Sequence, residues 1–195
     1  MGREHIRKHR NPKEASECIA YLEKHLTTVG FLGHGGGVYL RSVREEVEFN
    51  TQARAQHLQV VPVSYWSEDT IYYPILDRAK PIDTVVIERG NAAFPLVKAC
   101  FADLRRAHNV GLVYGDRWPN NILVSDNRVW NIDFDVAYEG PYTRELEVAE
   151  AIYYIASRSQ GKLTEERLLQ LIGQPWFELQ MMQTFLSGHH IIQAD

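Results

Sequence analysis

Apolar positions along the first third of the chain recur at helical and then at strand spacing. Over residues 12–27, Ile19, Leu22 and Leu26 fall three or four apart with charged residues between them, which predicts a helix. The glycine-rich GFLGHGGG at 30–37 breaks it, and 38–43 reads as a strand. A second helix is predicted over 44–58, with Val47, Ala53 and Ala55 as inner positions. Aromatic and β-branched residues at 60–66 and 70–76 flank a polar turn and predict two strands. A polar, proline-containing connector at 77–83 follows, where a hinge would sit.

The second half reads differently. Residues 92–110 form a strongly amphipathic pattern, with Leu96, Ala99, Phe101 and Leu104 on the apolar side. Two short apolar runs, 122–124 and 129–132, surround SDNR at 125–128, a hairpin turn by composition. Helices follow at 145–158, from Thr164 as a capping residue, and at 175–186, with loose chain after Gly188. A strand-bearing half followed by a helical half predicts an α+β fold, with lobes at 1–78 and 79–195 on either side of a cleft.

Composition narrows the function classes. A length of 195 residues, 45% hydrophobic and 24% charged, is enough for one domain with a substantial core. The net charge of −4 offers no general attraction for nucleic acid, and Arg3, Arg7, Lys8 and Arg10 read as a solvated basic end. Cys18 and Cys100 lie in amphipathic stretches and read as two buried free thiols of a reducing compartment. No apolar run is long enough to span a bilayer and no signal-peptide pattern is present, so no membrane partner and a cytoplasmic location are expected. The eight histidines show no metal-ligand spacing, and His189-His190 reads as a surface pair.

Chemistry concentrates at the hairpin. Asp116, Asn121 and Asp133 stand in an order that suits phosphoryl transfer. Asp116 could orient an attacking hydroxyl, and Asn121 and Asp133 could hold magnesium, which takes hard oxygen ligands and needs few from protein. A buried unpaired acid at Asp133 would be costly, which favours a partner or a metal there. Gly33, Gly35 and Gly36 fit either a phosphate-covering loop or a flexible turn.

YGDRWPNN at 114–121 resembles the catalytic loop of the protein-kinase-like superfamily. LRRAHNVGLV at 104–113 is similar to the end of the helix that delivers that loop, and IDFD at 132–135 resembles its metal-binding motif; the likeness covers 95–154. Gly115 before the aspartate, Trp118 two after it, Pro119, and Asp135 in place of a glycine look more like the atypical branches. These include the aminoglycoside and choline phosphotransferases, sugar and lipopolysaccharide-core kinases, RIO kinases and the small kinase of the KEOPS complex. Tyr114 stands where the loop's usual histidine would be.

The resemblance implies a two-lobed fold with a reduced N-terminal lobe and a mostly helical C-terminal lobe. It implies ATP and magnesium as cofactors, Asp116 and Asn121 as catalytic residues, Asn121 and Asp133 as metal ligands, and Asp135 beside them. Gly33, Gly35 and Gly36 would cover the phosphates, and Arg41 or Lys8 would replace the missing phosphate-binding lysine. Glu48 would be the ion-pairing glutamate, with Glu45 and Glu46 as alternatives. One of Glu145, Glu147 and Glu150 would brace the loop, the other two facing solvent. The implied activity is transfer of the γ-phosphate to a hydroxyl of a protein or small molecule. The alternative is a pseudokinase or nucleotide-binding scaffold, completed by an activating subunit.

Overall fold

The computed structural model describes residues 5–192, so Arg3 lies outside the described residues. Strand β1 (His5–His9) leads into helix α1 (Pro12–Val29), which Asn11 caps by accepting from the Lys13 N–H. The helix ends at Gly30 with φ 93°, the left-handed conformation that closes a helix cheaply only at glycine. A single 3-10 turn leads to β2 (Gly37–Leu40), and Ser42 and Glu45 then cap α2 (Val43–Ala55) reciprocally.

Strands β3 (Tyr65–Trp66), β4 (Thr70–Pro74) and β5 (Lys80–Pro81) precede helices α3 (Ile82–Arg89) and α4 (Phe94–Asn109). The hairpin β6 (Ile122–Ser125) and β7 (Arg128–Asn131) turns at Asp126 and Asn127, both with positive φ. That geometry matches the right-handed twist of a two-residue hairpin. Strand β8 (Val136–Glu139) and helices α5 (Thr143–Arg158), α6 (Glu165–Ile172) and α7 (Leu179–Ile192) follow.

The fold is mixed α and β, with three small sheets ordered β1-β4-β3, β5-β6-β7 and β2-β8. The last pairing joins distant sequence, with Leu40 opposite Val136 and Gly37 opposite Glu139. Helix α1 packs on α7, and α7 on α5. One core therefore runs from Leu22, Leu26 and Phe31 through Leu104, Phe134, Ile152 and Phe185, spanning both halves of the chain. A smaller apolar group, Val43, Val61, Ile71 and Tyr73, lies under the β1-β4-β3 sheet.

Several expectations change. In the 60–66 run only Tyr65 and Trp66 join a sheet ladder, while Val60 bridges Asn131. The 77–83 connector is not a free hinge: it contains β5 and the start of α3, and Ser125 donates to the Asp77 carbonyl at 2.8 Å. Helix α7 continues past Gly188, whose missing Cβ lets it pass against the Val29 backbone. Cys18 is exposed; Cys100 is buried, and burial pushes its thiol up to about 12.

His189 is buried rather than on the surface, while His190 is exposed and pairs with Glu165 at 2.8 Å. The His189 ring stacks on Tyr153 with centroids 4.9 Å apart and lies 5.1 Å from His25. Neither ring nitrogen has a partner among the described residues, and burial pushes the imidazole down to about 3. An unfolded chain would bind a proton there at about 6.5, so this contribution is intact above that pH and lost as pH falls toward the folded value. Urea unfolding at pH 7.5 and 5.5 should show wild type losing about 1.4 kcal/mol more than His189→Phe, which keeps the ring and removes the titration.

Candidate active site

The β1 strand and the α2 helix bring Lys8 and Glu46 together. Glu46 is fully buried, and its carboxylate accepts from Lys8 at 3.0 Å and 3.1 Å, from Arg10 at 2.5 Å, from the Tyr73 hydroxyl at 3.0 Å and from the Phe134 N–H at 3.2 Å. Lys8 also contacts Asp133 directly and lies 3.2 Å from Asp135. Two cations thus face three carboxylates, an excess of one negative charge that suits a further cation.

Burial pushes the Asp133 carboxyl up to about 7; Lys8 opposes the rise and Asp135 adds to it. The Asp135 carboxyl is held below the usual range by Lys8, by its hydrogen bond to Asp133 and by Arg10, against the opposing effect of burial. Asp133 is therefore the weaker acid of the pair and Asp135 the stronger. Asp133 also adopts φ 61°, left-handed backbone that an L residue holds only when its surroundings enforce it.

The 114–121 loop is fixed by buried polar groups. Tyr114 donates to Asp103 at 2.7 Å, and Asp103 also accepts from Asn131 at 2.9 Å. Gly115 has φ 99°, and a Cβ there would sit 2.0 Å from the Val136 carbonyl, so a side chain cannot be accommodated. Its N–H donates to Glu147 at 2.9 Å. Arg117 is buried, with Nε on the Gly115 carbonyl at 3.2 Å and Nη1 on Asn131 at 3.0 Å.

Between these supports, Asp116 Oδ1 accepts the Trp118 N–H at 3.0 Å. Burial raises the Asp116 carboxyl above its usual range, opposed by Arg117. The Asn121 amide nitrogen lies 3.2 Å from the Asp116 carbonyl and 3.4 Å from its Oδ2, which leaves the amide oxygen for another ligand. The Ile132 N–H donates to the Asn121 carbonyl at 3.1 Å, joining the loop to the segment that carries Asp133. No group of three or more His, Cys, Asp or Glu arranged for a metal occurs among the described residues. Asn121 and Asp133 carry oxygen donors of the hard kind that magnesium takes.

Other expected residues lie elsewhere. Glu48 is exposed and pairs with Arg44 at 2.8 Å; Glu45 caps α2; the glutamate on Lys8 is Glu46. In the structure Glu46 lies with Val43, Phe49 and Ala53 on the buried face of α2, while Ala55, expected inside, is exposed and Val47 is half-buried. Arg41 donates to the carbonyls of Phe134 at 2.6 Å and Val136 at 3.1 Å, so it braces the chain around Asp135. Gly33 and Gly35 belong to the turn between α1 and β2, and Gly36 packs on the Phe31 ring; none lines the cavity beside Lys8 and Asp135.

Glu145, Glu147 and Glu150 are all buried, against the expected exposure of two. Glu147 holds Gly115 and contacts His108 at 2.5 Å, Glu150 accepts from Tyr138 at 2.7 Å, and Glu145 accepts the Glu178 N–H at 2.8 Å. Burial raises Glu150 well above its ordinary range, and Asp116 adds to the rise.

An apolar cavity of about 410 Å³ lies beside this cluster, lined by Ile6, Val61, Tyr73, Leu76, Leu123 and Ile132. Ile6 and Lys8 share one face of β1, and Ile132 precedes Asp133, so cavity and charges adjoin. A larger cleft of about 490 Å³ lies along Tyr39, Arg41 and Glu48 and contains none of Asp116, Asn121 and Asp133. No protein-family model matches the chain.

Replacing Glu46 by alanine leaves Lys8, Arg10, Tyr73 and the Phe134 amide short of an acceptor. Glu46→Ala should cost about 3–5 kcal/mol in urea unfolding, while Glu48→Ala should leave the midpoint unchanged.

Proposed function

We propose that the chain is an ATP- and magnesium-dependent phosphotransferase of the protein-kinase-like fold, with a reduced N-terminal lobe. The observation that carries this reading is the pairing of half-buried Lys8 with buried Glu46 and with Asp133, beside the Asp116–Asn121 loop. A lysine, a helical glutamate, two aspartates and an asparagine thus come from four separate segments, and the apolar cavity beside them suits a nucleobase.

In this reading the cavity holds the base and Lys8 provides the positive charge for the polyphosphate. Asn121 and Asp133 would hold magnesium, which supplies charge neutralisation on the phosphates when bound. Asp116, fixed by the Trp118 amide, accepts the proton of the attacking hydroxyl; its raised pKa makes it a stronger base than an exposed aspartate. Arg117, Glu147 and Tyr114 hold the loop rigid so that this carboxylate needs no reorganisation on reaction.

Gly33, Gly35 and Gly36 do not line the cavity, which favours a second reading, a nucleotide-binding scaffold or a kinase completed by another subunit. Purified chain with magnesium and γ-labelled ATP distinguishes the two. The phosphotransferase should show transfer, hydrolysis or autophosphorylation, and Asp116→Ala should lower it by at least about 100-fold while magnesium-ATP still raises the melting temperature. Binding without any transfer favours the scaffold, and no binding counts against both.

A further inference from the structure

Lys8 and Arg10 stand two residues apart on extended chain, so both side chains leave it on one face, while His9 between them and Arg7 before them are exposed. Their hydrogen-bonding states differ. Lys8 is shared among Glu46, Asp133 and Asp135. Arg10, with its side chain only 17% exposed, spends one edge on Glu46 at 2.5 Å. Its Nη1 is 3.7 Å from Asp135, too long for a hydrogen bond, and its buried Nε has no partner among the described residues.

A desolvated guanidinium with unused donors is costly, and an anion that supplies oxygen acceptors removes the cost. A cavity of about 150 Å³ opens against this side chain, bounded by Lys8, Arg10, Asn11, Glu14 and Asp135. The glycine segment, the other source of donors considered for a phosphate, does not line it.

We propose that Arg10 is a phosphate-gripping residue of this site, its free guanidinium edge taking an oxygen of a polyphosphate next to Lys8. The planar fork of arginine supplies from a side chain the donors that a glycine loop would supply from backbone amides. The inference rests on the nucleotide reading above, and three probes separate the failure of one from the failure of the other.

The full chain is titrated calorimetrically with magnesium-ATP, magnesium tripolyphosphate and adenosine. Arg10→Gln should weaken both phosphate ligands by roughly 10- to 100-fold and leave adenosine affinity unchanged. Arg7→Gln should change none of the three. Equal weakening of all three ligands, or none, overturns the assignment to Arg10 while the nucleotide reading stands. Wild-type protein that binds tripolyphosphate but not adenosine overturns the nucleotide reading and keeps Arg10 as a polyphosphate-binding residue. Wild-type protein that binds none overturns both. If Arg10→Gln does not fold, Arg10→Lys, which keeps the charge beside Glu46 and removes the fork, carries the same comparison.

Discussion

Glu46 is the point through which the separate pieces of this structure are tied. A carboxylate with no exposure to solvent is tolerated only where donors replace its lost water. Here they come from β1 (Lys8), the residue just after it (Arg10), β4 (Tyr73) and the segment after β7 (the Phe134 amide). None of these elements could shift far without exposing an unpaired charge in a low-dielectric interior. The interaction therefore fixes Lys8 in space, and Lys8 in turn meets Asp133.

The same network explains why the site can be polar and ordered together. Rings of Phe49, Tyr114 and Phe134 pack against one another on its inner side, with Phe49 and Phe134 centroids 5.1 Å apart. They exclude water from behind the charges and strengthen every interaction among them. The charge balance is left one short on the positive side. Burial makes Asp133 the weaker acid, while Lys8 and Arg10 keep Asp135 the stronger one, so the shortfall falls at this pair of carboxyls.

Much of the fold was legible because its signals are local. The first helix has its cap, period and closing glycine within twenty residues, and the Asp126-Asn127 turn needs only its two positive-φ residues. The polar residues of the 114–121 loop and of the segment after the hairpin stood out for the same reason, since Asp116, Asn121 and Asp133 lie within one short stretch. Strand β8 was not, because its partner β2 lies about a hundred residues earlier and its four residues carry no turn signal of their own. Cys18 and His189 were misplaced because burial depends on which face of α1 and α7 the rest of the molecule covers. The choice of Glu46 over Glu48 was available in the helical period, but neighbouring acids look alike until the buried face is known.

By itself the sequence determined the residue types at the loop and the hairpin, the helices that carry them and the mixed α and β character. Those features follow from dihedral preferences, capping and periodicity, which act over a few residues. Only the tertiary structure decided which cation meets Asp133 and which glutamate meets that cation, because ion pairing depends on distance in space and on desolvation. Lys8 and Asp133 are 125 residues apart in the chain and in direct contact in the fold. Arg41, nearer in sequence to the glycine segment, is instead committed to backbone carbonyls. A buried charge takes the partner that packing delivers, and packing is a property of the whole molecule.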